Sequence, residues 1–221
     1  MGADAIECDL IPTKDGELII RHDNFLSTTT DVASRPEFAH LQREGIVGWQ
    51  ETRADWFCED FTLAELKQLR ATERLPEERP GSAKFDGQFA LATVDELLTA
   101  DFAAGKHLIL EVKHGAYFGA QGFPVSAILA RKLREIDWRE RGITLTLESF
   151  DFKVLEQMQR GAAAAVEEVD ELALAGAHHR RENLELGALF HREHLVDDLL
   201  GSLAGDSLPA HRAVRRAGPG V

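Results

Sequence analysis

Two cysteines, Cys8 and Cys58, stand in 221 residues. Neither has a cysteine neighbour at metal-site spacing, so no cysteine-ligated zinc site is expected, and the pair gives no compartment. Basic residues are also in deficit: 25 Lys and Arg face 38 Asp and Glu, for a formal net charge of -13. That balance argues against a nucleic-acid partner, because phosphate backbones are held by a surplus of Lys and Arg. An acidic chain can still take an anionic substrate where a bound cation reverses the local field. No apolar run reaches the roughly 18 residues of a membrane helix, so no membrane span is expected. Met1-Gly2-Ala3-Asp4 has neither the basic start nor the apolar stretch of a signal peptide. Periplasmic, secreted and cytoplasmic locations all stay open.

What is present is a core-forming composition. Hydrophobic residues make up 44% and charged residues 29%, enough for one sizeable folded domain. Ala5 to Leu10 and Glu17 to Arg21 read as strands around the turn Lys14-Asp15-Gly16. A long polar and aromatic stretch, about residues 24–86, follows and is expected as an insertion between strands. It carries its own helix, opened by the capping box Thr62–Glu65 and presenting Leu63, Leu66 and Leu69 on one face. A second box, Thr93–Glu96, opens a helix through Leu97, Leu98 and Phe102, which Gly105 stops. His107 to Lys113 is the clearest strand. An amphipathic helix over Pro124 to Leu133, a strand over Ile143 to Leu147 and a helix capped by Asp151 complete an alternation of strand and helix. Such alternation is the pattern of an α/β fold with parallel strands.

Strand side chains alternate between faces, so residues two apart share one. Ile6, Cys8 and Leu10 are the apolar set of the first strand, which leaves Glu7 and Asp9 on the other face. In the third strand Leu108, Leu110 and Val112 are apolar, and Ile109, Glu111 and Lys113 lie opposite. In a parallel barrel the apolar face packs on the helices and the charged face points inward. Acids at strand ends then meet at the C-terminal mouth, where barrel active sites sit. Three converging carboxylates are a hard-cation site of Mg²⁺ or Ca²⁺ type; solvated strand ends or ion-pair partners are the plainer alternative. His22 shares a face with Leu18 and Ile20 at the end of the second strand, and an imidazole suits acid/base work near neutrality.

Taken together these segments resemble the glycerophosphodiester phosphodiesterase family. The resemblance is carried by Gly2-Ala3-Asp4-Ala5-Ile6-Glu7-Cys8-Asp9, Thr13-Lys14-Asp15-Gly16, His22-Asp23, Leu26-Ser27-Thr28-Thr29-Thr30-Asp31-Val32, Phe61-Thr62-Leu63-Ala64-Glu65-Leu66, Glu111-Val112-Lys113 and Glu148-Ser149-Phe150-Asp151. It covers roughly residues 2–160, and the stretch over 24–86 looks like the insertion of the bacterial and plant branch. It implies a TIM barrel and metal-dependent hydrolysis of glycerophosphodiesters to glycerol 3-phosphate and an alcohol. Glu7, Asp9 and Glu111 would be ligands of a divalent Ca²⁺ or Mg²⁺. His22 would protonate the leaving alkoxide, and Lys113 would stand by the substrate phosphate. Phe118, in the segment after Lys113, is a candidate contact for the alcohol, with core or rim packing as the alternative.

The chain departs from the family pattern at both ends. The His-Arg-Gly strand end and the Glu-Asn-Thr segment, which supply a second histidine, a phosphate-binding arginine and a further glutamate, are not in the sequence. Neither is the late Trp-Thr. Four credible strands fall short of eight, so an incomplete barrel over residues 1–160 is expected, followed by a divergent or poorly ordered tail over 161–221 without a convincing strand. His191, Glu193 and His194 lie in that tail at a spacing that is not a zinc-protease helix. Three functional readings follow: a phosphodiesterase of this family, a fragment of it with little or no catalysis, or a phospholipase D-like barrel hydrolase acting on a lipid phosphodiester.

Overall fold

A computed structural model describes residues 2–47, 51–165 and 172–176, all within the first of two units of the chain, Met1–Ala188. In chain order the elements are strands β1 (Ala5–Pro12), β2 (Leu18–Ile20), β3 (Arg43–Val47) and β4 (Glu51–Asp55), then helices α1 (Leu63–Leu66), α2 (Pro80–Ala83) and α3 (Val94–Thr99). Strand β5 (His107–Val112), helices α4 (Gly115–Ala120) and α5 (Val125–Glu135), strand β6 (Thr144–Ser149), helix α6 (Phe152–Ala165) and strand β7 (Leu172–Gly176) follow.

The main sheet has the order β2-β1-β5-β6-β7. β1, β5, β6 and β7 run parallel, with Asp9 opposite Glu111 and Glu111 opposite Glu148. Parallel strands need crossovers, and α5 and α6 provide the last two. Leu10, Leu108, Leu110, Leu145 and Leu147 bury the apolar face of the sheet, with Leu129 and Leu133 of α5 and Val154 and Met158 of α6 in the same core. Both capping boxes form: Thr62 accepts from the Glu65 amide and Thr93 from the Glu96 amide, with each glutamate returning the bond. The helix after Thr93 stops at Thr99, short of the expected reach, and Phe102 lies exposed in a following 3-10 turn.

Three expectations are corrected. β2 is antiparallel to β1, pairing Ile20 with Leu10 and Leu18 with Pro12, so it is a returning edge strand, not a parallel barrel strand. The tail expected to lack strands supplies β7, parallel to β6, and the alanine run Ala162–Ala165 completes α6. The stretch over 24–86, expected as an insertion carrying its own helix, holds the β3–β4 hairpin as well. That stretch has its own apolar residues, with the Phe38 and Phe61 rings 5.2 Å apart and the Trp56 indole N–H donating to the Phe38 carbonyl at 2.7 Å. The expected helix over Leu195 to Leu203 and the histidines of the tail lie outside the described residues. No described helix is long and apolar enough to cross a membrane. Cys8 and Cys58 are both free and buried, and burial pushes each thiol up to about 12.

α4 begins beside the sheet's charged end, and its first residue must be small. A Cβ on Gly115 would overlap the methyl groups of Val154 on α6. Gly115→Ala is expected to destabilise the fold by about 1–3 kcal/mol, the usual cost of overpacking a filled interior. A denaturant midpoint unchanged from the parent chain would refute that close approach.

Candidate active site

The strand register builds the site. Glu7 and Asp9 of β1 and Glu111 of β5 bring carboxylate oxygens that all lie within 4.8 Å of one another. Glu111 is buried, Asp9 half-buried and Glu7 exposed, so the group opens toward solvent at one side. Lys113, one residue past β5, lies among them, with its ammonium 2.8 Å from Glu111 and 3.2 Å from Asp9. Burial pulls the ammonium down, but its hydrogen bond to Glu111 and the charges of Glu111 and Asp9 outweigh that and hold it above its usual value. Burial, then repulsion from Asp9 and Glu111, raises Glu7. Burial also raises Glu111, against the pull of Lys113. Clustered acids held above their ordinary range are carboxylates short of positive charge.

His22 reaches this group by way of the edge strand. Because β2 runs back along β1, the Arg21 amide donates to the Asp9 carbonyl at 2.8 Å, which sets the following residue level with the acids. The His22 ring is largely open, and its Nδ1 lies 2.7 Å from Asp23 Oδ1. That hydrogen bond is the largest influence on the imidazole and lifts it above its ordinary value, with Asp9 adding to the rise and burial and Lys113 opposing it. Asp23 is in turn held down by His22 and by the Arg74 guanidinium, which pairs with its other oxygen. Asp23→Asn is expected to lower the pKa of His22, so that the protonated ring is lost at a lower pH. An NMR titration of the ring should show the drop, and an unmoved midpoint would refute the pairing.

The five sequence-derived residues Glu7, Asp9, His22, Glu111 and Lys113 therefore gather at one end of the sheet. Phe118 does not. It is fully buried in α4, 5.1 Å from the Tyr117 ring and 6.5 Å from the His114 ring, a core position with no face open to an alcohol. Three further residues belong to the neighbourhood. Glu148 stands beside Glu111 in the next strand, and burial followed by the charges of Glu111, Glu7 and Asp9 raises it. The sequence holds it in the segment Glu148-Ser149-Phe150-Asp151, and the Glu111–Glu148 register places it only once the strands are paired. His114 takes left-handed backbone, φ 49, directly after Lys113, a conformation uncommon for residues other than glycine. Burial lowers its imidazole, and the charges of His22 and Lys113 add to that. Arg74 comes from 51 residues beyond Asp23 and could not be linked to it by pattern.

Acids at neighbouring parallel strand ends, with helices in the crossovers, define an α/β-barrel type of site. The chain belongs to the glycerophosphoryl diester phosphodiesterase family, whose model matches residues 1–189, and the family fold is the TIM barrel. The match reaches past residue 160, where the resemblance had been expected to fade. The chain is 37% identical over 123 residues to the glycerophosphodiester phosphodiesterase GDPD6 of Arabidopsis thaliana, covering 54% of this chain and 32% of the relative. It is 26% identical over 180 residues to the glycerophosphodiester phosphodiesterase of Treponema pallidum, covering 72% and 46%. The chain thus spans less than half of the length of either relative. A crystal structure from Silicibacter pomeroyi DSS-3 matches with a TM-score of 0.52 at 24% identity, over 73% of this chain and 52% of that one, a likeness of fold.

Proposed function

We propose that this chain hydrolyses glycerophosphodiesters to glycerol 3-phosphate and an alcohol, with a divalent cation held by Glu7, Asp9 and Glu111. The observation that carries the reading is the meeting of three carboxylates from two strands with His22 and Lys113 at one end of the sheet. The donor set fits the cation: all-oxygen ligands of like charge, already drawing in the Lys113 ammonium as their counter-charge. A bound Ca²⁺ or Mg²⁺ would polarise the phosphoryl oxygens as a Lewis acid.

The chain's own residues supply the rest. Lys113 carries a positive charge beside the acids and attracts the diester's anionic oxygens. His22, held protonated by Asp23, gives its proton to the alcohol oxygen as the P–O bond breaks, while the oxygen of water adds to phosphorus and the proton that water releases passes to solvent. Asp23 keeps the imidazole's other nitrogen occupied and the ring turned.

The test is an assay of the purified chain with glycerophosphocholine, with Mg²⁺, with Ca²⁺ and with chelator. Cation-dependent release of glycerol 3-phosphate is expected. Hydrolysis of a lysophospholipid in place of the glycerophosphodiester would favour the phospholipase D-like reading. Absence of turnover with every diester, in a folded chain, would favour the non-catalytic one.

A further inference from the structure

Phe150 follows the last residue of β6, at the end of the sheet that carries the carboxylates. The register pairs Glu111 with Glu148, and carrying it two residues on sets Phe150 level with Lys113 on the same face. The contact is made: the Lys113 ammonium lies 5.2 Å from the centre of the Phe150 ring. The backbone on both sides of Phe150 is tied down. The buried Ser149 hydroxyl donates to the Val112 carbonyl at 2.9 Å and accepts from the Asp151 amide at 3.2 Å. Phe150 itself is 42% exposed, so its ring stands at the rim of the site, aimed by its backbone over the ammonium.

The partners of the ammonium differ in kind. Glu111 at 2.8 Å and Asp9 at 3.2 Å are both carboxylates of the proposed cation site. The Phe150 ring is the described partner that is not. Once those carboxylates hold a divalent cation they no longer neutralise the ammonium, which then meets a like charge a few ångströms away. The side chain has a flexible four-carbon stem and a strongly hydrated head, so nothing in lysine itself keeps it at the site. A ring face attracts an ammonium through its quadrupole and carries no net charge. Its pull survives when the two ion pairs weaken.

We infer that Phe150 is a positioning residue: its ring keeps the Lys113 ammonium at the site, ready for an anionic phosphoryl oxygen, while Glu7, Asp9 and Glu111 hold their cation. The inference rests on Lys113 as the group that attracts the phosphate in the proposed hydrolysis. Tyrosine in place of Phe150 presents the same aromatic face. Leucine fills much of the space without one. Phe150→Tyr and Phe150→Leu therefore separate attraction from bulk.

The experiment has two arms on the full chain. In the first, ¹³C-labelled lysine is followed by NMR as Mg²⁺ or Ca²⁺ is added, with the Lys113 signal assigned by its loss in Lys113→Arg. A ring face shields what lies over it, so the Lys113 ε-methylene should appear upfield of the other lysines, and should stay there with the cation bound. Phe150→Leu should return it to the common lysine position, and Phe150→Tyr should not. A signal at the common position in the cation-loaded parent chain, or one unmoved by Phe150→Leu, overturns the inference. In the second arm glycerol 3-phosphate is titrated into the cation-loaded chains and glycerophosphocholine turnover is measured. Phe150→Leu should weaken glycerol 3-phosphate and lower kcat/KM by about three-fold each, the range of an exposed cation–π contact, with Phe150→Tyr close to the parent. Equal binding and turnover in all three chains overturn the positioning role and leave the hydrolase standing. No turnover in any chain, with the ring dependence of glycerol 3-phosphate binding intact, keeps the positioning role and overturns the hydrolase. A parent chain that binds neither cation overturns both.

Discussion

His22→Ala is expected to cut the rate of glycerophosphodiester hydrolysis by about 10²–10⁴-fold, the usual worth of a positioned general acid. The size of the loss should depend on the alcohol. A good leaving group, such as a nitrophenolate ester of glycerol phosphate, departs without a proton and should lose little. A choline or ethanolamine ester needs the proton and should lose most. The alanine chain should keep its cation affinity, because His22 is not one of the three carboxylates. A variant that slows both esters equally would place His22 in binding or folding instead, and a variant with full activity on the choline ester would remove it from the mechanism.

The second large effect is expected from loss of the proposed cation centre. Glu111→Gln should lower activity by about 10³-fold or more, since Lewis-acid stabilisation at phosphorus is worth several kcal/mol and each 1.36 kcal/mol is ten-fold in rate. Glu111 is the most buried of the three carboxylates and touches Lys113 at 2.8 Å, so its replacement disturbs both the ligand set and the ammonium beside it. Binding can be read without turnover. In the parent chain, Ca²⁺ or Mg²⁺ at about 100 times its dissociation constant should stabilise the fold by about 2.7 kcal/mol through linkage. Glu111→Gln should lose most of that thermal shift. An equal shift in both chains would move the ion elsewhere.

Much of this site can be read from spacing alone, because a strand's period of two leaves little freedom. Glu7 and Asp9 had to share a face once Cys8 and Leu10 were buried, and Glu111 followed from Leu110 and Val112. His22 comes level with the acids for a different reason. The alternation in Leu18-Ile19-Ile20 says nothing about direction, and only the pairing Leu10–Ile20 shows the strand turning back. α4 hid behind two glycines, Gly115 and Gly119, which weaken a helical signal. β7 hid because Leu-Ala-Leu-Ala-Gly follows an alanine run and has no polar alternation to announce it. The hairpin hid because β4 is almost wholly polar and mostly exposed. Arg74 depends on a contact far apart in sequence, which no local pattern carries; Glu148 stands in the segment Glu148-Ser149-Phe150-Asp151, but only strand pairing puts it beside Glu111.

The antiparallel β2 has one more consequence. His22 is delivered to the carboxylates by a strand of three residues that hangs from β1 through the turn at Lys14–Gly16. That turn is tied by the Thr13 hydroxyl, which donates to Asp15 at 2.6 Å and accepts from the Glu17 amide at 3.0 Å, and by Gly16 at φ 78. The separation between the proposed proton donor and the proposed cation site is therefore gauged by the length of a surface turn. One residue inserted there would slip the pairing and put the imidazole on the opposite face of the strand. Two would return it to the correct face but about 7 Å along, at roughly 3.4 Å per residue. A loop outside the chemistry thus acts as its ruler.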